Sequence, residues 1–96
     1  MIITNEPGVY KKDKHGIRTE NILLVTKSSK DEDMGEFYKF HTISYCPIDI
    51  EGIDVEMLNK EEKKWLNTYH KIVYDKLSVY LNKEEREFLK LETREV

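Results

Sequence analysis

The chain has 96 residues, of which 36% are charged and 39% are apolar, and its formal net charge is -3 at pH 7. A chain of this length forms at most one small domain, which leaves little room for a deep catalytic cleft. The 16 basic and 19 acidic side chains are mixed along the sequence, so no basic stripe indicates a nucleic-acid partner.

The lack of targeting signals and the low cysteine content both favour a cytoplasmic location. No apolar run approaches the roughly 18 residues that a membrane helix requires, and residues 1–20 lack the apolar stretch of a signal peptide. We therefore expect no membrane partner. Cys46 is the single cysteine, so no internal disulfide can form and a reducing, cytoplasmic location is favoured.

The first half of the chain predicts strands. Proline lacks a backbone donor, so the strand that begins at Ile2 should be interrupted, or lie at a sheet edge, at the sequence Glu6-Pro7-Gly8. A polar turn follows at residues 11–16. Residues 17–26 are β-rich and contain four consecutive apolar residues, which predicts a core strand covered on both faces.

The remaining β-rich sequence leads to a change of periodicity. Residues 28–36 predict a polar loop, and residues 37–46 predict a second strand that ends at Pro47. After residue 58 the pattern becomes helical, because Asn59 followed by Glu62 is a capping-box sequence. Asn82 followed by Glu85 repeats that signal and predicts a second, shorter helix.

The first predicted helix carries one apolar stripe. Its members recur at helical spacing and are Trp65, Leu66, Tyr69, Ile72, Val73 and Leu77. Such a stripe normally buries its face, and we expect it to pack against the strand of residues 37–46. The fold class is therefore α+β, with a β-hairpin and small antiparallel sheet followed by two helices.

Two carboxylates stand out in the predicted hairpin. If the turn is centred near Asp13, residues whose numbers add to about 26 oppose each other, and Glu6 then faces Glu20. Like charges in that position are unfavourable unless a cation or a shared proton lies between them. Arg18 belongs to the same face. The spacing alone leaves three interpretations open: solvated glutamates, a salt bridge to Arg18, or ligation of a divalent metal.

Four stretches carry a family resemblance. "TNEPGVY" followed by "HGIRTEN" resembles the E-P-G-x-Y and G-[IV]-R-x-E strands of the pita-bread metallopeptidases, specifically the Xaa-Pro aminopeptidases (aminopeptidase P). "TISYCPIDIEGID" and "EEKKWLNTYHKIVYDKL" resemble the segments that follow in the longer members of that family. The resemblance runs from Ile2 to Thr93. It implies that residues 1–48 are the C-terminal portion of the catalytic domain and residues 49–96 a helical C-terminal extension.

The resemblance also implies roles for individual residues. Glu6 resembles a glutamate that binds one metal, and Glu20 resembles the glutamate that bridges two metals. Arg18 and Tyr10 resemble the residues that hold those ligands in place. The implied cofactor is a pair of divalent ions, usually manganese, which suits carboxylate oxygens. The implied activity is metal-dependent hydrolysis of proline-containing peptides, with removal of the N-terminal residue that precedes proline.

The family site needs five protein ligands, and the other three, two aspartates and one histidine, lie upstream of the E-P-G strand. The chain starts immediately before that strand, so we expect a C-terminal piece that is inactive alone and binds no metal pair. The three histidines offer no replacement: His15 falls in the turn, His41 in a strand, and His70 in a helix, where packing and hydrogen bonding are expected. The charged residues 31–33 read as a solvated loop rather than a cation site.

Separation of these strands from a larger sheet would leave open edges and bare apolar faces, which recruit other chains. We therefore expect a homo-oligomer, and the resemblance implies that the stripe of the first helix also contributes to contacts between copies. The alternative function is a non-catalytic oligomerisation or partner-docking module in which Glu6 and Glu20 no longer bind metal.

Overall fold

Five strands precede two helices in the computed structural model, which describes residues 1–28 and 35–96. The predicted α+β class is confirmed. The charged residues 31–33 lie outside the described residues. The strands are β1 (Ile2–Asn5), β2 (Gly8–Lys11), β3 (His15–Arg18), β4 (Asn21–Lys27) and β5 (Tyr38–Thr42). The helices are α1 (Lys60–Leu77) and α2 (Lys83–Glu92), with 3-10 turns at Ile50–Gly52, Val55–Met57 and Ser78–Tyr80.

The chain divides into two compact units, Met1–Ser44 and Tyr45–Val96. The division at residues 48 and 49 that the family resemblance implies stays a prediction. None of the helices in the described ranges combines the length and apolar character that crossing a membrane requires.

The first unit is built on one antiparallel register. β1 pairs with β4 and β2 pairs with β3, and in both ladders the numbers of paired residues add to 26, as in Asn5 with Asn21 and Gly8 with Arg18. The predicted register is confirmed. The turn between β2 and β3 is closed by the N–H of Lys14, which donates to the carbonyl of Lys11 at 3.1 Å.

The ladder breaks where the sequence predicts an interruption. Pro7 has no N–H to donate, but its carbonyl accepts from the N–H of Thr19 at 3.1 Å. The two chains therefore stay together across the break. The prediction of one continuous strand over residues 17–26 is wrong, because the break separates β3 from β4.

Two glycines shape one face of the β2–β3 hairpin. Tyr10 pairs with Gly16 and is two residues from Gly8, so all three positions share a face. A Cβ atom at Gly16 would lie 2.5 Å from Cδ1 of Tyr10, and one at Gly8 would lie 2.7 Å from its hydroxyl oxygen. The missing side chains therefore let the Tyr10 ring lie flat across both strands.

β4 is the central strand of the sheet β1-β4-β5. This confirms its predicted central place, but Leu23, Leu24 and Val25 are half-buried rather than buried. β5 is shorter than the predicted strand of residues 37–46. Beyond β5 the Ser44 side chain, rather than the backbone, bonds to β4: its oxygen accepts from the N–H of Ile22 at 3.0 Å.

Both helices of the second unit begin as predicted. Asn59 caps α1 through its side chain, which accepts from the N–H of Glu62 at 2.8 Å, and the Glu62 side chain accepts from the N–H of Asn59 at 2.9 Å. Asn82 and Glu85 form the same reciprocal pair before α2, with both distances 2.9 Å. Each box satisfies two backbone donors that a helix start otherwise leaves unpaired.

The core of the second unit is narrower than the predicted stripe. Val73, Tyr69 and Leu89 form its buried centre, with Tyr45 and Ile48 packed against it. The predicted burial of the stripe is therefore confirmed for its central residues and wrong at its two edges, where Trp65 is 51% exposed and Ile72 is 43% exposed. The partner segment follows β5 and belongs to no strand, so the predicted packing on residues 37–46 is confirmed only at the end of that range, for Tyr45 and Cys46.

Two buried side chains of α1 hold that partner segment. The Tyr69 hydroxyl donates to the carbonyl of Cys46 at 2.8 Å and accepts from its N–H at 3.2 Å. The Nε2 atom of His70 accepts from the N–H of Ile48 at 3.0 Å. His70 thus has the packing and hydrogen-bonding role that the sequence predicts.

His70 should make the second unit sensitive to acid. Its side chain is fully buried, and burial lowers the pKa of His70 below its usual value. The unfolded chain then takes up a proton first, so the free energy of unfolding should fall as the pH drops below about 6.5. Denaturant unfolding, followed by Trp65 fluorescence across that range, measures this loss.

The matched variants are His70→Gln, which keeps an acceptor for the Ile48 N–H, and His41→Gln, which changes an exposed histidine. We expect His70→Gln to cost about 1 kcal/mol at pH 8 and to flatten the acid dependence, whereas His41→Gln keeps it. An acid dependence that is unchanged in His70→Gln would contradict this assignment.

The hairpin glycines should respond differently to an added methyl group. At Gly16 the three nearest atoms to the Cβ position belong to the Tyr10 ring, which can rotate away, whereas at Gly8 the backbone carbonyl of Ile17 lies 2.9 Å from that position. We expect Gly8→Ala to destabilise the hairpin by about 1–3 kcal/mol, as overpacking does, and Gly16→Ala by less. Amide hydrogen exchange of β2 and β3 measures the difference, and equal protection in the two variants would contradict it.

Candidate functional site

Glu6 and Glu20 lie at the break between the two ladders. Asn5 pairs with Asn21 on one side of the break, and Gly8 pairs with Arg18 on the other, in the same register. That register places Glu6 opposite Glu20, with both on the face that also presents Tyr10 and Arg18. Both glutamates are exposed.

An ion pair orients one of the two carboxylates. The Nε atom of Arg18 donates to Oε2 of Glu20 at 3.0 Å. The salt bridge that the sequence left open is therefore present. It occupies one carboxylate oxygen, so it does not decide between a structural and a metal-binding role for Glu20. The two side chains are 49% and 41% exposed, and a pair this open contributes little to stability.

Tyr10 interacts with the arginine from the same face of the hairpin. Interaction with the Tyr10 hydroxyl, followed by the negative charge of Glu20, raises the pKa of Arg18 above its usual value. The tyrosine can reach the guanidinium because its ring lies across Gly8 and Gly16. The chain of contacts thus runs from the glycines through Tyr10 and Arg18 to the Glu20 carboxylate.

A second anchor fixes the backbone immediately after Glu20. The Ser44 hydroxyl donates a short hydrogen bond to Oδ1 of Asn21. Its oxygen also accepts from the N–H of Ile22 at 3.0 Å. Ser44 therefore holds the start of β4, and with it the side of the break that carries Glu20.

The carboxylates of Glu6 and Glu20 suit a hard cation, but they are only two ligands. Two facing carboxylates offer oxygen ligands of the kind that manganese and magnesium prefer, and a cation would relieve their mutual repulsion. No group of three or more His, Cys, Asp or Glu side chains that could hold a metal occurs within residues 1–28 and 35–96. Glu6 and Glu20 could therefore supply only part of a metal coordination sphere.

The histidines take other places. His15 pairs with Lys11 at the turn, on the opposite face of the hairpin from Glu20. His41 is an exposed residue of β5. His70 is buried in the second unit and accepts from Ile48.

Sequence reasoning missed the contribution of Gly8 and Gly16 to this site. The signal was available in the register, because the even-numbered positions within β2 and β3 are glycine and tyrosine in β2, and glycine and arginine in β3. Once the turn is centred near Asp13, the two glycines fall on the same face as Tyr10, where they leave space for its ring.

Comparison with known proteins identifies the family. Residues 36–96 match the sequence model of a family described as the C-terminal region of peptidase M24. A Coprinopsis cinerea protein named as a probable Xaa-Pro aminopeptidase P is 39% identical over 97% of this chain and 16% of its own length. Aminopeptidase P1 of Arabidopsis thaliana is 38% identical over 100% of this chain and 15% of its own length.

A solved structure agrees with these relatives. The X-prolyl aminopeptidase of Caenorhabditis elegans, described as a cytosolic enzyme with a di-nuclear active site, superposes with a TM-score of 0.87 at 29% identity. The match covers 99% of this chain and 16% of that protein, so the chain spans about one sixth of the length of its relatives. The expected fold, the C-terminal part of a pita-bread enzyme, is confirmed. The chain belongs to the Xaa-Pro aminopeptidase family of M24 peptidases, and its residues correspond to the C-terminal region of those enzymes.

Proposed function

We propose that Glu6 and Glu20 are metal ligands of an Xaa-Pro aminopeptidase, a cytoplasmic enzyme that removes the N-terminal residue preceding proline from peptides. The observation that supports this most directly is the register shared by the two ladders, which puts the exposed residues Glu6 and Glu20 at opposing positions between them. Membership of the family supports a metal-binding role for that arrangement, since a relative is described as having a di-nuclear active site.

Each neighbouring residue has a part in this proposal. Glu6 would be a ligand of one metal ion, and Glu20 would be a ligand of both. Arg18 fixes the rotation of the Glu20 carboxylate by holding Oε2 at 3.0 Å. The same contact therefore sets the direction of the other carboxylate oxygen, Oε1. Tyr10 interacts with Arg18 and would help to position it. Groups that orient ligands in this way commonly decide metal affinity. A pair of manganese ions, when bound, supplies a water activated for attack on a peptide carbonyl.

A polypeptide limited to these 96 residues provides two of the five ligands that the family resemblance implies. We propose that it neither hydrolyses Xaa-Pro peptides nor retains a pair of metal ions by itself. The remaining ligands, two aspartates and one histidine in the family pattern, must come from other sequence.

A second candidate is an oligomerisation or partner-docking module. It is favoured by large apolar side chains that stay exposed within each unit, among them Phe40 and Ile2 in the first, and Phe88 and Leu91 in the second. Such side chains are typical of surfaces that another chain covers. A homo-oligomer is compatible with both candidate functions, because the chain that covers these apolar side chains can be a second copy of the protein in an active enzyme.

A chimera tests the metal-ligand proposal. This chain would replace the matching C-terminal region of the Coprinopsis cinerea relative, to which it aligns over 97% of its length. We expect the chimera to hydrolyse an Xaa-Pro peptide with added manganese. Glu6→Gln and Glu20→Gln should each lower that activity by about 100-fold or more, since removing groups that only orient metal ligands already costs about 10–100-fold.

Metal content provides the readout that activity alone does not. Mass spectrometry of the purified chimeras should show fewer metal ions per chain in Glu20→Gln than in the parent. Glu51→Gln is the matched control, because Glu51 is an exposed glutamate of the second unit. A folded chimera whose Glu20→Gln variant keeps full activity and metal would contradict the proposal. A folded chimera that is inactive from the start would favour the docking module.

A further inference from the structure

A basic groove runs along one face of α1 in the second unit. It has a volume of about 910 Å³ and is lined by eleven residues, of which six are cationic and one, Glu95, is acidic. The cations are Lys60, Lys63, Lys64 and Lys71 of α1, Lys90 of α2, and Arg94. Because the other three lysines of α1 lie 3, 4 and 11 residues after Lys60, all four are on one side of that helix.

The groove cations have no anionic partners in the described part of the chain. The salt bridges there are Arg18 with Glu20 and Lys27 with Glu36, both in the first unit. Positive charges three and four residues apart on a helix repel one another. An anionic ligand would relieve that repulsion at several positions at once.

The wall of the groove opposite α1 is fixed. The N–H of Val96 donates to Oδ1 of Asn67 at 2.9 Å, which fastens the end of the chain to α1. The Thr93 hydroxyl donates to the carbonyl of Leu89 at 2.7 Å, and Nη1 of Arg94 donates to the carbonyl of Leu91 at 2.7 Å. The concave shape therefore results from specific hydrogen bonds.

We propose that this groove binds an acidic segment of a partner protein in an extended conformation. From Lys60 to Lys71 the helix rises by about 17 Å, which matches an extended segment of about five residues. The net charge of -3 on the chain disfavours a long nucleic acid, which needs a continuous positive surface. The neutral polar side chains of Asn67, Thr68 and Tyr74 in the groove suit the backbone of a peptide.

The test is fluorescence anisotropy of a labelled peptide of six glutamates, titrated with the 96-residue chain at low ionic strength. We expect saturable binding that weakens as salt is added. Lys64→Glu combined with Lys71→Glu should weaken binding by about tenfold or more, since both side chains then repel the peptide. The milder pair Lys64→Gln and Lys71→Gln should weaken it less, with circular dichroism confirming that α1 is retained.

The control combines Lys12→Glu with Lys83→Glu, which changes the net charge equally at exposed positions outside the groove. It should alter the affinity by less than about twofold. Equal weakening by the control pair would overturn the proposal, as would an absence of saturable binding. Tighter binding of a single-stranded oligonucleotide with six phosphates would also overturn it and indicate a nucleic-acid surface instead.

Discussion

The antiparallel register of the first unit is the constraint on which the candidate site depends. It is continuous across two ladders that Pro7 separates, because the Pro7 carbonyl and the Thr19 N–H keep the chains joined at the break. In a strand pair, a slip of one residue sends every side chain to the other face. The facing positions of Glu6 and Glu20 therefore exist only in this register.

Side-chain packing on one face of the hairpin orients the carboxylate that the register puts there. The absence of side chains at Gly8 and Gly16 admits the Tyr10 ring, which reaches Arg18, and Arg18 holds Glu20. Each of these contacts is exposed and weak by itself. These contacts matter because they position the Glu20 carboxylate, which would otherwise sample several rotamers in solvent.

The second unit is constructed differently, around the buried Tyr69 and His70, whose hydrogen bonds hold the extended segment at Cys46 and Ile48.

Much of this arrangement could be predicted from the sequence, and the failures have physical causes. Capping boxes depend on residues three apart, so Asn59 and Asn82 predicted the helix starts correctly. The helical period identified the stripe of α1 but not its width, because exposure of Trp65 and Ile72 depends on which chain segments cover the helix. The pairing of Glu6 with Glu20 followed from the turn, whereas the Tyr10 packing required knowing that both glycines share its face. Metal ligation by the two glutamates stays a prediction.

The central claim is that this register places Tyr10 over the hairpin glycines and the two glutamates on one face. Nuclear Overhauser effects in the isotopically labelled chain test it most directly. The structure predicts contacts from the Tyr10 ring to the α protons of Gly8 and Gly16, and between the side chains of Glu6 and Glu20 across the break. Contacts of the Tyr10 ring with the side chain of Ile17 instead would indicate a register shifted by one residue. Such a shift would place Glu20 on the opposite face from Glu6 and contradict the account.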